Sequence, residues 1–270
     1  MSDFQVAIQG AGHLAGALIE GFCRADVKAI SIYNRTTQRA VELARKFPTL
    51  KVFDDQAAFD SEKCPLLVVI PGLALLEMPR ARIDRLKASR RVVVSCINGL
   101  PLSVLVRRFP SIPWVKAIPS VAAALGKSVT LVAKDSAVED RDFSSVRRIF
   151  ERVGVVFQTH DDEETDKLAV VTSCMPGLLC AILDEFAHTF ELDEKQVSDL
   201  LLDSALGSLA LARRDSTGLQ GLVSGVSNPG GLTEVGVSMI RLTFPSVFDQ
   251  LRHVLDRKQQ QRRQQYLAFD

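Results

Sequence analysis

At 270 residues, with 47% hydrophobic side chains and a formal net charge of +1, the chain is sized for one large or two modest domains with well-filled cores. The near-neutral balance excludes nucleic acid as the main partner, and no uninterrupted apolar run is long enough to span a bilayer, so no membrane partner is expected. The amino terminus leads straight into a strand pattern without the basic and apolar regions of a signal peptide, which makes the cytoplasm the expected location.

The first predicted element is an apolar strand, Val6 to Gln9, which runs through Gly10-Ala11-Gly12 into a helix opening with His13, Leu14 and Ala15. Gly10 permits a tight turn, Gly12 lets a phosphate approach the main chain, and Ala15 lets the helix pack closely on its strand. The unpaired N–H groups and the positive dipole end at such a helix start hold a pyrophosphate, so Gly10, Gly12, His13, Leu14 and Ala15 are candidate dinucleotide contacts. A second strand, Ala29 to Tyr33, is followed by Asn34-Arg35-Thr36. An acidic residue there would take the ribose hydroxyls and repel a 2′-phosphate. Arg35 instead suits a bidentate pair with that phosphate, with Asn34 and Thr36 as neutral donors, which favours NADP(H) over NAD(H). The alternative is that Asn34 and Thr36 cap a helix from Thr37 to Lys46 and Arg35 is a solvated charge.

Further strands are predicted at Lys51 to Phe53, Leu66 to Ile70, Val92 to Ser95, Trp114 to Ile118, Val129 to Ala133 and Val155 to Thr159, with amphipathic helices such as Ala137 to Val153 between them. This rhythm specifies an α/β fold, a doubly wound Rossmann-type, mostly parallel sheet, over residues 1–159. Ligands bind such sheets at the carboxyl ends of the strands, which singles out the loops after Ile70, Ser95 and Ile118 and their residues Ile70, Pro71, Asn98 and Ser120.

Beyond the acidic stretch His160 to Glu164 the strand signal disappears, and residues 160–270 read as an all-helical domain: Thr165 to Thr172, Gly177 to Phe190, Glu194 to Ala212, and Thr233 to Lys258 interrupted at Pro245. That domain is too small to bury every apolar helix face alone, so a homodimer intertwined through the C-terminal helices is expected. The tail Arg257 to Gln265 reads as a solvated helix end. Cys23, Cys64, Cys96, Cys174 and Cys180 form no C-x-x-C pair and sit in apolar contexts, so they read as reduced core thiols; with four histidines lacking ligand spacing, no metal site is expected.

Within the helical domain, Ser224 to Glu234 contains Asn228-Pro229-Gly230-Gly231-Leu232-Thr233, a loop entering a helix. It reads either as an interhelical turn capped by Thr233 or its neighbours, or as a second anion nest suited to a substrate carboxylate and facing the nicotinamide.

The chain resembles the pyrroline-5-carboxylate reductases, NAD(P)H-dependent enzymes that reduce a cyclic imine to proline. The resemblance rests on Gly10 to Gly21, on Ile118-Pro119 followed by Gly126, on Pro176 at the start of a long helix, and on Val226 to Thr233. It implies that Pro229, Gly230, Gly231 and Thr233 shape the site for the substrate's carboxylate and ring nitrogen, at a dimer interface built from the helical domains; beside them Asn228 is a candidate substrate contact, Thr233 is expected to hydrogen-bond the nitrogen or a bound water, and Ser120 to orient the nicotinamide amide or substrate. A protonated imine is already electrophilic, so such a site needs mainly to orient the ring and exclude water. The chain departs from the family pattern at Val69-Ile70-Pro71-Gly72, which carries no lysine, at Ile118-Pro119-Ser120-Val121-Ala122 and at Ser173 to Leu178, and in these respects resembles the late-competence paralogues of the reductases. Two alternatives stand beside it: a β-hydroxyacid dehydrogenase using Lys167 as acid/base, and a non-catalytic NADP-binding regulatory paralogue.

Overall fold

The computed structural model describes residues 5–269. Its contacts divide the chain into a sheet unit that runs to Pro176 and resumes at Gln259, and a helical unit, Gly177–Lys258. The eight predicted strands all form: β1 (Gln5–Gln9), β2 (Ala29–Tyr33), β3 (Leu50–Phe53), β4 (Leu66–Val68), β5 (Val93–Ser95), β6 (Trp114–Ile118), β7 (Ser128–Lys134) and β8 (Gly154–Gln158). Their order is β3-β2-β1-β4-β5-β6-β7-β8, parallel except where β7 runs antiparallel to β6. Chain direction across the sheet reverses between β1 and β4, because β2 and β3 build outward on one side and β4 to β6 on the other. β4 and β5 are buried at every position, as befits central strands covered on both faces.

Helices α1 (His13–Arg24), α2 (Thr37–Lys46) and α7 (Asp140–Glu151) cover one face. In α7 the stripe Phe143, Val146, Ile149, Phe150 has the spacing of a single buried helix side. The opposite face carries α3 (Gln56–Asp60), α4 (Gly72–Leu76), α5 (Arg80–Ser89) and α6 (Leu102–Arg108), packed around Trp114, Leu66 and Val93. α8 (Asp162–Thr172) belongs to the sheet unit, although the sequence puts it with the helical domain; Ala169 packs on Ile118 and Leu131. The acidic stretch is the start of this helix: Asp161 accepts the Glu164 N–H at 2.7 Å, and Glu164 accepts the His160 N–H at 2.7 Å.

Asp162 reaches further. Its carboxylate accepts the Leu102 and Ser103 N–H groups at the start of α6 and the ammonium of Lys116, a wholly buried side chain in the middle of β6. Asp166 completes the neutralisation of Lys116 at 3.4 Å. One lysine thus ties α8 and α6 to the sheet from inside.

The helical unit contains α9 (Met175–Thr189), α10 (Glu194–Gln196), a π-helical turn Val197–Leu202, α11 (Asp203–Arg214), α12 (Gly218–Val226) and most of α13 (Leu232–Leu267). α12 is an element the sequence does not predict, since Gly218, Gly221 and Gly225 weaken its helical signal. Pro245 does not interrupt α13; the flanking hydroxyls of Thr243 and Ser246 bond to helix carbonyls, and the exposed surface leaves the carbonyl freed by proline open to water. Large apolar side chains such as Phe190, Leu206, Leu219, Leu232 and Leu242 stand exposed on this unit. By length and composition the run Asp162–Thr189 reaches the size of a bilayer span, contrary to the expectation from uninterrupted apolar runs, because α9 continues the apolar half of α8 past Ser173 and Cys174. Cys64 and Cys96 are buried, but Cys180 is exposed on α9 and is no core thiol.

Burial alone would raise the Asp162 pKa, but the Lys116 ammonium and the Leu102 and Ser103 N–H groups outweigh it and hold the carboxyl below its ordinary value. Its contribution is therefore complete above the unfolded carboxylate pKa of about 4 and is lost as pH falls through the lower folded value. Asp162→Ala is expected to lower unfolding free energy by about 3 kcal/mol near neutrality, because it leaves the buried Lys116 ammonium with Asp166 alone and takes the acceptor from the Leu102 and Ser103 N–H groups. In denaturant titrations the gap between wild type and variant narrows below about pH 4; a gap independent of pH counts against this role.

Candidate functional site

The carboxyl ends of β1 and β4 form the crevice at which the sheet changes direction. Beyond β1 the chain is held from both sides: the Gly10 N–H donates to the Tyr33 carbonyl at 2.9 Å, and the Val69 N–H donates to the Gln9 carbonyl at 2.8 Å. This pulls the two loops so close that a Cβ on Gly10 would lie 2.2 Å from the Val69 carbonyl oxygen, and Gly10 has φ of +112°. Only glycine fits. Gly12 differs: a Cβ there would meet nothing within 4 Å. Protein packing therefore does not require glycine at position 12, whose exposed backbone opens α1 without a side-chain cap. His13 is exposed and Leu14 half-buried, while Ala15 is buried against the sheet as expected.

Beneath this turn, Gln9 accepts from Arg82 Nη2 at 2.6 Å, and Arg82 is itself held by the fully buried Asp60. Arg85 gives Asp60 a second cationic partner. This network, which secures the end of β1, was not anticipated; its sequence signal is an aspartate and two arginines in short helices whose other residues are apolar or surface-like.

At the end of β2, Asn34 Nδ2 donates to the Thr36 carbonyl at 2.8 Å. Thr36 is the N-cap of α2 by position, but its side chain makes no cap bond. Arg35 is exposed and has no ion-pair partner among the described residues. The three residues thus offer a guanidinium and a hydroxyl that the protein does not itself use.

The other carboxyl-end loops supply the far side of the crevice. Ile70 is half-buried and Pro71 exposed as the N-cap of α4. After β5, Asn98 carries a buried Oδ1 without a partner, and Ser95 Oγ is in the same condition. A buried acceptor left unpaired costs about 1–3 kcal/mol unless a ligand or water meets it. After β6, Ser120 is buried and its N–H donates to Ser128 Oγ, which in turn bonds Thr130 Oγ1. The open face of Gly12, the exposed Arg35 and the orphaned Asn98 oxygen are the groups on these loops that could hold a nicotinamide dinucleotide.

In the helical unit, Asn228, Pro229, Gly230, Leu232 and Thr233 are exposed and lead into α13. The main-chain groups expected to meet an anion are engaged within the loop. Gly231 N–H donates to the Asn228 carbonyl at 2.9 Å, and Gly230 N–H donates to the Glu234 carboxylate at 2.6 Å. Glu234 thus puts an anion of the chain's own at Gly230, a feature that helix-dipole reasoning alone explains as a favourable first-turn charge. Lys167 is exposed on α8, whereas the buried lysine of the region is Lys116.

Comparison with known proteins gives one family-model match, Shikimate / quinate 5-dehydrogenase, over residues 1–57. Over most of its length the chain is similar to pyrroline-5-carboxylate reductases: 27% identity over 259 residues with that of Mycobacterium tuberculosis, covering 85% of this chain and 86% of the relative, and 22% over 240 residues with that of Corynebacterium melassecola, covering 86% and 88%. Among solved structures, a Streptococcus pyogenes 1-pyrroline-5-carboxylate reductase matches with TM-score 0.79 at 17% identity over 96% of this chain and 98% of that one. A Plasmodium falciparum pyrroline carboxylate reductase with NADP bound matches with TM-score 0.78 at 15% identity, over 100% and 99%. The fold is that of these proteins, and the resemblance read from the motifs extends across the chain.

The two glycines make opposite predictions. Gly10→Ala is expected to destabilise the protein by about 2 kcal/mol or more through backbone strain and overlap with Val69. Gly12→Ala should leave the melting temperature unchanged while weakening dinucleotide binding at least about tenfold, measured by NADPH fluorescence titration. A Gly12→Ala protein that binds NADPH as wild type does would remove the turn from the site.

Proposed function

We propose that this chain, a divergent relative of the pyrroline-5-carboxylate reductases, is an NADPH-dependent reductase of a small cyclic imine, of the pyrroline-5-carboxylate type. The observation that carries the reading is the open space before Gly12 at the switch point of the sheet, two residues past Gly10, where a Cβ would lie 2.2 Å from the Val69 carbonyl oxygen. The turn Gly10 to Gly12 and the first N–H groups of α1, at His13, Leu14 and Ala15, hold the pyrophosphate. Arg35 pairs with the 2′-phosphate, supported by Thr36, while Asn34 keeps the turn in shape through the Thr36 carbonyl. Ile70, Pro71 and Asn98 meet the nicotinamide half, and the Asn98 Oδ1 gains the partner it lacks. When bound, the reduced dinucleotide supplies a hydride.

The protein's own work is orientation and exclusion of water. Ser120, held by the Ser128 and Thr130 hydroxyls, presents its side chain from a buried position after β6. Thr233 hydrogen-bonds the imine nitrogen, and the loop Asn228-Pro229-Gly230-Gly231 takes the remainder of the substrate. Exposed apolar faces of the helical unit support a homodimer through the C-terminal helices.

Glu234 favours a second reading. Because its carboxylate accepts the Gly230 N–H, a substrate carboxylate would have to displace it, and a protein that binds NADP(H) without reducing carboxylated imines would keep that bond.

The direct test follows NADPH oxidation by absorbance with pyrroline-5-carboxylate, pyrroline-2-carboxylate and piperideine carboxylates, using NADH as control. The proposal expects turnover with NADPH, and Arg35→Ala should raise the KM for NADPH about tenfold while leaving that for NADH unchanged. Glu234→Ala should lower the KM for a carboxylated imine severalfold by freeing Gly230. Tight NADPH binding with no turnover on any cyclic imine would establish the regulatory alternative instead.

A further inference from the structure

The last turns of α13 belong to the sheet unit and are not a solvated end, as their composition suggests. Gln259 Nε2 donates to the Asp166 carbonyl in α8 at 2.6 Å. One turn on, the stem of Arg262 covers Gly99, whose Cβ position lies 3.5 Å from Arg262 Cδ. After a further turn the Tyr266 ring is 9% exposed and presses on Gly72: a Cβ there would lie 2.6 Å from the phenol oxygen and 2.7 Å from two ring carbons. The spacing 259, 262, 266 is one helix stripe. Arg108 of α6 closes the strap, donating from Nε to the Leu76 carbonyl at the end of α4 at 2.7 Å and from Nη1 to the Phe269 carbonyl at 2.6 Å.

Both glycines under this strap lie in the loops assigned above to the nicotinamide half. Gly72 follows Ile70-Pro71 directly, and Gly99 follows Asn98 with its unpartnered Oδ1. α4 starts at Gly72 without a side-chain cap, and the Tyr266 ring packs on this first helical residue, next to the Ile70-Pro71 loop. We propose that Tyr266 is a positioning residue for the nicotinamide half of the dinucleotide, acting by ring packing on Gly72 and hence on the Ile70-Pro71 loop, with Arg108 holding the strap in place. The inference rests on the cofactor reading of the crevice. It makes the C-terminal strap, rather than a residue within the loop, the device that sets loop position.

The test uses the full chain and two ligands, NADPH and 2′,5′-ADP, which carries the adenosine 2′-phosphate but no nicotinamide. Tyr266→Ala is expected to weaken NADPH binding about tenfold and leave 2′,5′-ADP within about twofold of wild type. Tyr266→Phe keeps the ring and should bind both as wild type does. Arg108→Met should shift NADPH in the same direction as Tyr266→Ala, and it carries the test if Tyr266→Ala shows no cooperative thermal transition. Wild-type NADPH affinity in either folded variant, an equal loss for both ligands, or a Tyr266→Phe protein as weak as Tyr266→Ala would overturn the inference. A wild-type protein that binds neither ligand would overturn the cofactor reading itself, and with it this role for Tyr266.

Discussion

The carbonyl oxygen of Val69 occupies the place where any side chain on residue 10 would have to go. That close approach follows from pairing β1 with β4 directly, with no strand between them, at the point where the sheet changes direction. It leaves the main chain after β1 in a conformation that only glycine tolerates, and it turns α1 so that its uncapped N–H groups open outward. Everything proposed for the cofactor depends on this junction. Its surroundings are correspondingly stiff: Gln9, Arg82 and Asp60 clamp the strand from below, and Ala15 seats the helix against the core.

The fold was legible where a local pattern carries the physics. Fully apolar runs such as Val93 and Val94 mark central strands, alternation of strands with amphipathic helices marks the doubly wound sheet, and Gly10 and Gly12 mark the turn. What was not legible depends on partners distant in sequence. Lys116 sits in an apolar strand, and nothing nearby reveals that Asp162 and Asp166 meet it. The tail looks polar because only Gln259 and Tyr266 reach inward, Arg262 lays its stem on Gly99 while staying exposed, and most of the residues between them face water. Pro245 looks like a break, yet an exposed helix accommodates it.

The loop Asn228 to Thr233 differs from its sequence expectation. The glycine pair was expected to offer its N–H groups outward, whereas Asn228 and Glu234 accept them. Glu234 lies one turn beyond Gly230, so its side chain needs only a local rotation to leave. The crevice at β1 and β4 is held by main-chain hydrogen bonds, while the loop at Gly230 carries a carboxylate that an anionic ligand would have to displace.

The claim on which the account turns is that a dinucleotide lies across the carboxyl ends of β1 and β4. Hydrogen–deuterium exchange with and without NADPH tests it most directly. The account predicts protection on binding in peptides covering residues 10–16, 34–37, 69–73 and 97–100, with β8 and α7 unchanged. Exchange in those four segments that is indifferent to NADPH, or protection confined to other parts of the sheet unit, would contradict it.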